Sequence, residues 1–440
     1  MTAITWWQGT PAAALAEAAA RQQPLFLYWG AQWCPPCNRV KSEIFAHSAV
    51  QALSQQMLCY QLDGDSAGAQ ALAAQLRLRS YPTLVLIATD GSEITRLPCE
   101  LDGERFAEAL ARALAVHAAG SSAAAALQAA LSASRALTRA EWALLADYSW
   151  DTDEGALLGE RALAPTLLAL LSALQGTQMS GTIGDHAAAA LRLQLHALLA
   201  QASTPEQGAA LLLALCADDA AARANMDILN NYGIELVKLC TQREAVAAAL
   251  RDRATLWAQD FWLAAPDKLA AARLQLRMAR LLAPSSATQE SARQQVAEAL
   301  DAASDGYQLH TLVNTAVSLL NEAGLGHESE QLLQSHLPNS HTPFYFMLSL
   351  AGIAKRRGDL AAMLDWYQHA YETAVGPATR IQWGVTYLSQ LMEQAAGETA
   401  RIAQAQTALQ ADVAAAGEDA QYQRNRAQLQ KLARWPQLAF

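Results

Sequence analysis

The sequence predicts a two-part chain: a small α/β sandwich with a mixed sheet, followed by a much larger all-α region. Three observations predict it. Apolar runs of strand length alternate with amphipathic helical spacing up to Ala118, and that alternation then stops. From there to Phe440 helical segments follow one another between Gly and Pro breakers. The expected domains are therefore 1–118 and 119–440.

The first unit reads in order as follows. Ala12–Arg21 is an Ala-rich helix, and Pro24–Ala31, with Leu-Phe-Leu-Tyr-Trp inside it, is a strand buried on both faces. A helix begins near Cys34, its apolar face marked by Cys37, Val40 and Ile44, and Ser48–Gln55 resumes helical structure after a break near His47. Met57–Leu62 is a second strand and Ala67–Leu78 a second amphipathic helix. Tyr81–Ala88 is a third strand, and Asp90-Gly91 marks a turn into Glu93–Pro98. Phe106–His117 closes the unit. A βαβ portion followed by a hairpin and a last helix makes a mixed sheet flanked by helices.

Beyond Ala118, Gly120-Ser121-Ser122 reads as a linker or first helical turn. Breakers then fall at Pro165, Gly181–Gly184, Pro205, Gly233, Pro266, Pro284, Gly306, Gly324, Pro338, Pro343, Gly358, Pro377 and Gly397. Part of this region repeats. Gly324 and Gly358 stand 34 residues apart, as do Pro343 and Pro377. The stretch 310–377 resembles tetratricopeptide repeats, whose period is 34. Leu350, Ala351, Ala354, Leu364, Trp366, Tyr367 and Ala370 fall in register, whereas Met363 and His336 stand where smaller residues are expected.

A net charge of −10, without long basic or acidic blocks, argues against nucleic-acid or anionic-membrane binding, which needs clustered Lys and Arg. The first residues lack the cationic and apolar parts of a targeting signal. The apolar runs near Pro165–Leu174 and Ala209–Cys216 are far shorter than the ~20 residues that span a bilayer. With Met1 as the start, the expectation is a soluble cytoplasmic protein. Six cysteines are too few at this length for a secreted disulfide framework.

Chemistry concentrates at Trp33-Cys34-Pro35-Pro36-Cys37, between a strand and a helix. Disulfide exchange needs an attacking thiolate, a second thiol near enough to resolve the mixed disulfide, and access for a partner sulfur. Two intervening residues over a first helical turn bring the sulfurs within bridging distance. Cys34 lies toward the exposed end, where unpaired helix-start amides favour a thiolate, and Cys37 one turn further in. The expected roles are Cys34 as nucleophile and Cys37 as resolving thiol. A zinc clip would need two more ligands, and His47 is the one nearby histidine, so no metal is expected. No phosphate loop, dinucleotide fingerprint or His-Glu-x-x-His occurs, and no cofactor is expected. Cys216 and Cys240 read as core residues, His336 and His341 as loop histidines separated by Pro338, and Trp6-Trp7, Trp257 and Trp262 as packing residues.

The unbroken run Leu25–Cys37, with Tyr81-Pro82-Thr83 following 45 residues after Cys37 at a strand start, resembles the thioredoxin family over about 5–117. Lys41-Ser42-Glu43-Ile44-Phe45 with Val50 is most similar to its bacterial disulfide-interchange branch. The resemblance implies a thioredoxin fold, a cis Pro82 facing Cys34, Trp33 and Tyr81 beside the dithiol as substrate-binding residues, and Pro35 and Pro36 shaping the helix entry. Two family features are replaced: Tyr28 stands where a buried Asp is usual, six residues before Cys34, and Cys59 where its Lys partner is usual. Cys99 aligns near a substrate-lining Gly. Tyr28, Cys59 and Cys99 are therefore auxiliary candidates. The expected activity is thiol–disulfide oxidoreduction on protein disulfides or thiols, with an external reductant or redox partner and protein clients on the helical region. The alternative is a redox-linked co-chaperone or adaptor whose helical array binds proteins while the dithiol is secondary.

Overall fold

The computed structural model describes residues 3–178, 186–283, 288–303 and 306–438. The expected breaks at Gly181–Gly184 and Pro284 lie outside them.

Five strands, β1 (Trp6–Trp7), β2 (Leu25–Gly30), β3 (Leu58–Asp63), β4 (Thr83–Ile87) and β5 (Glu93–Leu97), form one sheet in the order β1-β3-β2-β4-β5. β1 and β2 run parallel to β3, while β4 lies antiparallel to both β2 and β5. The β4–β5 hairpin turns at Gly91, whose φ of +84° suits a residue without Cβ. β1 escapes sequence reading because two residues carry no period: Trp6 packs on Tyr28 and Phe45, and Trp7 on Tyr60.

Helices α1 (Pro11–Arg21), α2 (Pro35–Arg39), α3 (Ser48–Leu53), α4 (Ala69–Gln75) and α5 (Gly103–Ala118) flank the sheet. Thr10 caps α1 with Pro11 at its first position, and the Asp102 carboxylate caps α5 by accepting the Arg105 N–H at 2.9 Å. The helix expected to run on from Cys34 instead passes into a π-turn over Val40–Ile44. The period of two on β2 sorts its residues cleanly. Leu25, Leu27 and Trp29 join a core with Ala14, Ala18, Ala69, Leu72 and Val85, whereas Phe26 and Tyr28 face the opposite core.

The remaining described residues past Ala118 contain helices and no strand. They are α6 (Ala123–Ser132), α7 (Arg139–Ala146), α8 (Leu163–Gln178), α9 (Ala187–Leu199), α10 (Pro205–Ala217), α11 (Asp219–Ala224), α12 (Met226–Lys238) and α13 (Arg243–Gln259). They continue with α14 (Ala265–Leu282), α15 (Gln289–Asp301), α16 (Gly306–Glu322), α17 (Gly326–His336) and α18 (Pro343–Arg357). The last are α19 (Leu360–Thr373), α20 (Pro377–Gln394), α21 (Thr399–Ala416) and α22 (Gln423–Gln430). This arrangement is consistent with helical repeats: Gly324 and Gly358 both have φ of +80° where one helix ends and the next begins. Met363, expected to be small, is fully buried.

The second core of the sheet does not stop at α5. Phe26, Tyr28, Cys37 and Leu84 share one continuous cluster with Trp142 and Leu167, and with Phe344, Trp383, Leu409 and Leu438. Three smaller clusters lie along α9–α14, α14–α17 and α16–α18. The helical array therefore leaves the main core near α9 and rejoins it at α18, arching over the α2 side of the sheet.

Candidate active site

Cys34 is the cap of α2 rather than its first turn. In extended conformation (φ −77°, ψ 117°), its Sγ accepts the Cys37 N–H at 3.4 Å and its carbonyl accepts the Asn38 N–H at 3.0 Å. Pro35 and Pro36 open the helix where backbone N–H groups have no intrahelical partner, so neither costs a hydrogen bond. Cys37 sits one turn in, with no exposure. The Tyr81–Pro82 bond is cis, as the resemblance implies, and the Cys34 thiol donates to the Tyr81 carbonyl across 3.6 Å. A Cβ on Gly64 would meet the Tyr81 hydroxyl at 1.7 Å, so this glycine makes room for the ring. All six cysteines are free thiols.

Burial dominates the electrostatics. It pushes Cys34 well above a free thiol, helped by its hydrogen bond and charge interaction with Cys37 and against the pull of the Cys37 amide. Burial opposes a charged Cys37 as well, but its interactions with the Cys34 thiol, the Ala31 backbone and Tyr28, with the charge of Lys41, bring it below a free thiol. The two thiols titrate as a pair, and loss of the first proton opposes loss of the second. Cys34, expected toward the exposed end of the helix, is buried in this state. Cys34 is only 3% exposed, and the low dielectric around it outweighs a single amide.

The cover comes from the helical region. Trp33 lies nearly parallel to Tyr345 of α18 (centroids 6.0 Å apart, 19°) and edge-on to Trp383 of α20 (5.1 Å). Its indole N–H donates to the Thr379 hydroxyl at 2.8 Å, and that hydroxyl donates to Asp65 at 2.5 Å. Asp65, in the loop after β3, also accepts the Thr379 N–H at 2.9 Å and so caps α20 from across the interface. Gly376 permits the approach: its φ is +97°, and a Cβ there would sit 2.2 Å from the Asp65 carboxyl carbon. Around α2, Asn38 meets His310 of α16 at 3.0 Å, Arg39 pairs with Asp267 of α14 at 2.7 Å, and Gln308 donates to Glu43 at 3.1 Å. Arg424 of α22 stacks over Tyr81 at 4.2 Å.

The auxiliary candidates separate. Tyr28 is buried, and its hydroxyl, without a formed hydrogen bond, interacts electrostatically with Cys37; burial and then that interaction raise it well above an ordinary phenol. Cys99 is buried with its thiol donating to Glu100 at 3.0 Å, and it lies within electrostatic range of both Cys34 and Cys37. Cys59 is not brought to the dithiol. It pairs with Phe26 in the sheet, points its thiol at the Ser54 carbonyl 3.9 Å away, and is pushed up to about 12 by burial alone. Trp257 is core as expected, but Trp262 is 88% exposed, because it sits beside Phe261 in the α13–α14 connection. His336 ends α17 instead of lying in a loop, while His341 packs on His310. Sequence reasoning missed Asp65, His310, Tyr345, Thr379 and Trp383. Their partners lie hundreds of positions away, and no local period signals such a contact.

Residues 11–114 match the model of a family described as thioredoxin-like domain. That segment is a thioredoxin-like domain. Among solved structures, a DsbH oxidoreductase is similar at 20% identity and a TM-score of 0.24, over 26% of this chain and 87% of its own. No curated protein matches the chain. The thioredoxin-like domain contains the dithiol, the cis Pro82 and Asp65, whereas His310, Tyr345, Thr379 and Trp383 lie outside the matched segment. Among the described residues no helix is long and apolar enough by itself to cross a membrane.

Proposed function

We propose that the chain is a thiol–disulfide oxidoreductase acting on protein disulfides, with its helical region binding the client or a redox partner. The observation that carries this is the Cys34–Cys37 pair, capped on α2 and facing the Tyr81 carbonyl beside cis Pro82. The Cys34 thiolate attacks one sulfur of a client disulfide, and the other client sulfur leaves and takes a proton. Cys37, deprotonated, then attacks Cys34 and releases the second client thiol. Two electrons pass to the client and the dithiol closes as a disulfide, which an external thiol reductant reopens. Trp33, Tyr81 and Pro82 would frame the client backbone, and neither metal nor cofactor is called for. The proposal places the protein in the cytoplasm, where thiol reductants keep such pairs reduced.

A second reading has a specific observation in its favour: the dithiol is covered, and Tyr28 occupies the position of the family's buried acid. On that reading the helical array is the main binding element and exchange is secondary. Insulin reduction driven by dithiothreitol separates the two. Turnover by the wild type that Cys34→Ser abolishes is the expected result; equal rates in both would sink the catalytic reading.

A further inference from the structure

We propose that the helical region is an intramolecular occupant of the thioredoxin-like domain's own substrate groove, held by an Asp65–Thr379–Trp33 latch, and that this closure gates the dithiol. The inference rests on the exchange reading for its biological meaning, but the closure is a property of the fold and is tested separately.

A partner disulfide must approach the Cys34 sulfur in line, and the residue that would flank it, Trp33, is itself only 9% exposed. Tyr345 and Trp383 both pack on the Trp33 ring, and its N–H is satisfied by Thr379. Tyr345 is near enough to feel the charge of Cys34. On this proposal these three side chains must move before a protein segment reaches the sulfur.

The contact is built with complementary polar groups, unlike an incidental apolar collapse. One hydroxyl links the two halves, accepting from the Trp33 indole and donating to the Asp65 carboxylate, while the same carboxylate closes the start of α20. Asp65 and Trp33 come from two loops of the thioredoxin-like domain, and Thr379 from the helical region, so their alignment reports one relative placement. A cavity of about 240 Å³ remains beside the motif, lined by Pro35, Pro36, Arg39, Asn230 and Asp267. It reaches the backs of the prolines and includes neither cysteine, so it does not relieve the block.

Such a closure acts by population. Only the open fraction offers Cys34, and the apparent reactivity of the thiol is its intrinsic value multiplied by that fraction. A client or partner that binds the open form better would raise the fraction by its differential affinity. The latch decides how far.

The test is alkylation of the pre-reduced full-length protein by iodoacetamide, with the modified Cys34 peptide followed by mass spectrometry. Wild-type Cys34 is expected to react at least about tenfold more slowly than the same residue in the guanidinium-unfolded chain at the same pH. Asp65→Ala and Thr379→Val, each confirmed as folded by circular dichroism, are expected to speed the reaction by about tenfold, the effect of losing one or two buried hydrogen bonds. Glu328→Ala, which breaks a surface pair with Arg293 on another part of the array, is expected to leave the rate unchanged. A wild-type rate close to that of the unfolded chain would overturn the proposal, as would folded latch variants that react no faster than wild type. Should Asp65→Ala fail to fold, the milder Thr379→Val carries the decision. If the alkylation pattern holds while no variant reduces insulin, the closure stands and the exchange reading falls.

Discussion

At the scale of single residues, the dithiol's behaviour is decided by what lies beneath it as much as by its own spacing. Tyr28 takes the position where the thioredoxin resemblance leads one to expect a carboxylate that draws a proton from Cys37. A phenol raised well above its ordinary range cannot be that base, yet its interaction with Cys37 favours the Cys37 thiolate. Gly30 accommodates this ring, since a Cβ there would lie 2.4 Å from the Tyr28 hydroxyl. Tyr28→Phe is expected to move the first thiolate titration, read from ultraviolet absorbance, to higher pH. Because the hydroxyl has no formed hydrogen bond, stability should change by no more than about 1 kcal/mol. A titration that does not move would remove Tyr28 from the account of the site.

At the scale of elements, α16 joins α2 to α18 through one imidazole. His310 Nδ1 faces the side-chain amides of Asn38 (3.0 Å) and Asn314 (3.2 Å), so Nε2 carries the proton and donates to the Thr342 hydroxyl at 3.1 Å. The ring stacks on Phe346 and sits beside His341. Burial, then the neighbouring His341, lowers it to about 3, against ~6.5 in an unfolded chain. The unfolded chain therefore binds more protons between these values. The stability of the neutral imidazole is fully present above the unfolded value and is lost as pH falls toward the folded one, by at most ~1.4 kcal/mol per pH unit. The melting midpoint should drop from pH 7 to pH 4.5, and less steeply in His310→Gln. His196, also lowered to about 3, contributes equally to both proteins and leaves the difference intact. Parallel curves would show that His310 is not the sensor.

At the scale of the whole molecule, one apolar cluster runs from Phe26 to Leu438. The thioredoxin-like domain gives one face of its sheet to α1 and α4, and shares the core behind the other with the helical region. Cores continuous across two segments unfold together, because opening either exposes the apolar surface of both. Calorimetry of the full chain should show one principal transition in which Trp33 fluorescence and helical signal change together. Early loss of either signal, with the other intact, would mean that the interface contributes little.

How much of this could be read in advance differs by residue. Strands β2 to β5 were legible because apolar runs of that length, ended by Gly, Pro or Asp, have few other solutions, and Cys34 and Cys37 because chemistry requires their spacing. β1 was not, being two tryptophans paired to β3 with no period of their own. Nor was the π-turn after α2, a change of hydrogen-bond register that leaves the side-chain spacing almost unaltered. Cys59, an auxiliary candidate only because it aligns with the family's usual Lys, is a buried residue of β3 whose thiol turns to the Ser54 carbonyl. The sequence by itself determined the local chemistry: a strand–turn–helix bearing two thiols, then a long series of helices. Whether those thiols meet solvent was decided only by tertiary structure. Asp65 and Thr379 lie 314 positions apart, and Trp33 gains its cover from α18 and α20. Pairing across that distance depends on how every intervening helix packs, which no local period of residues records.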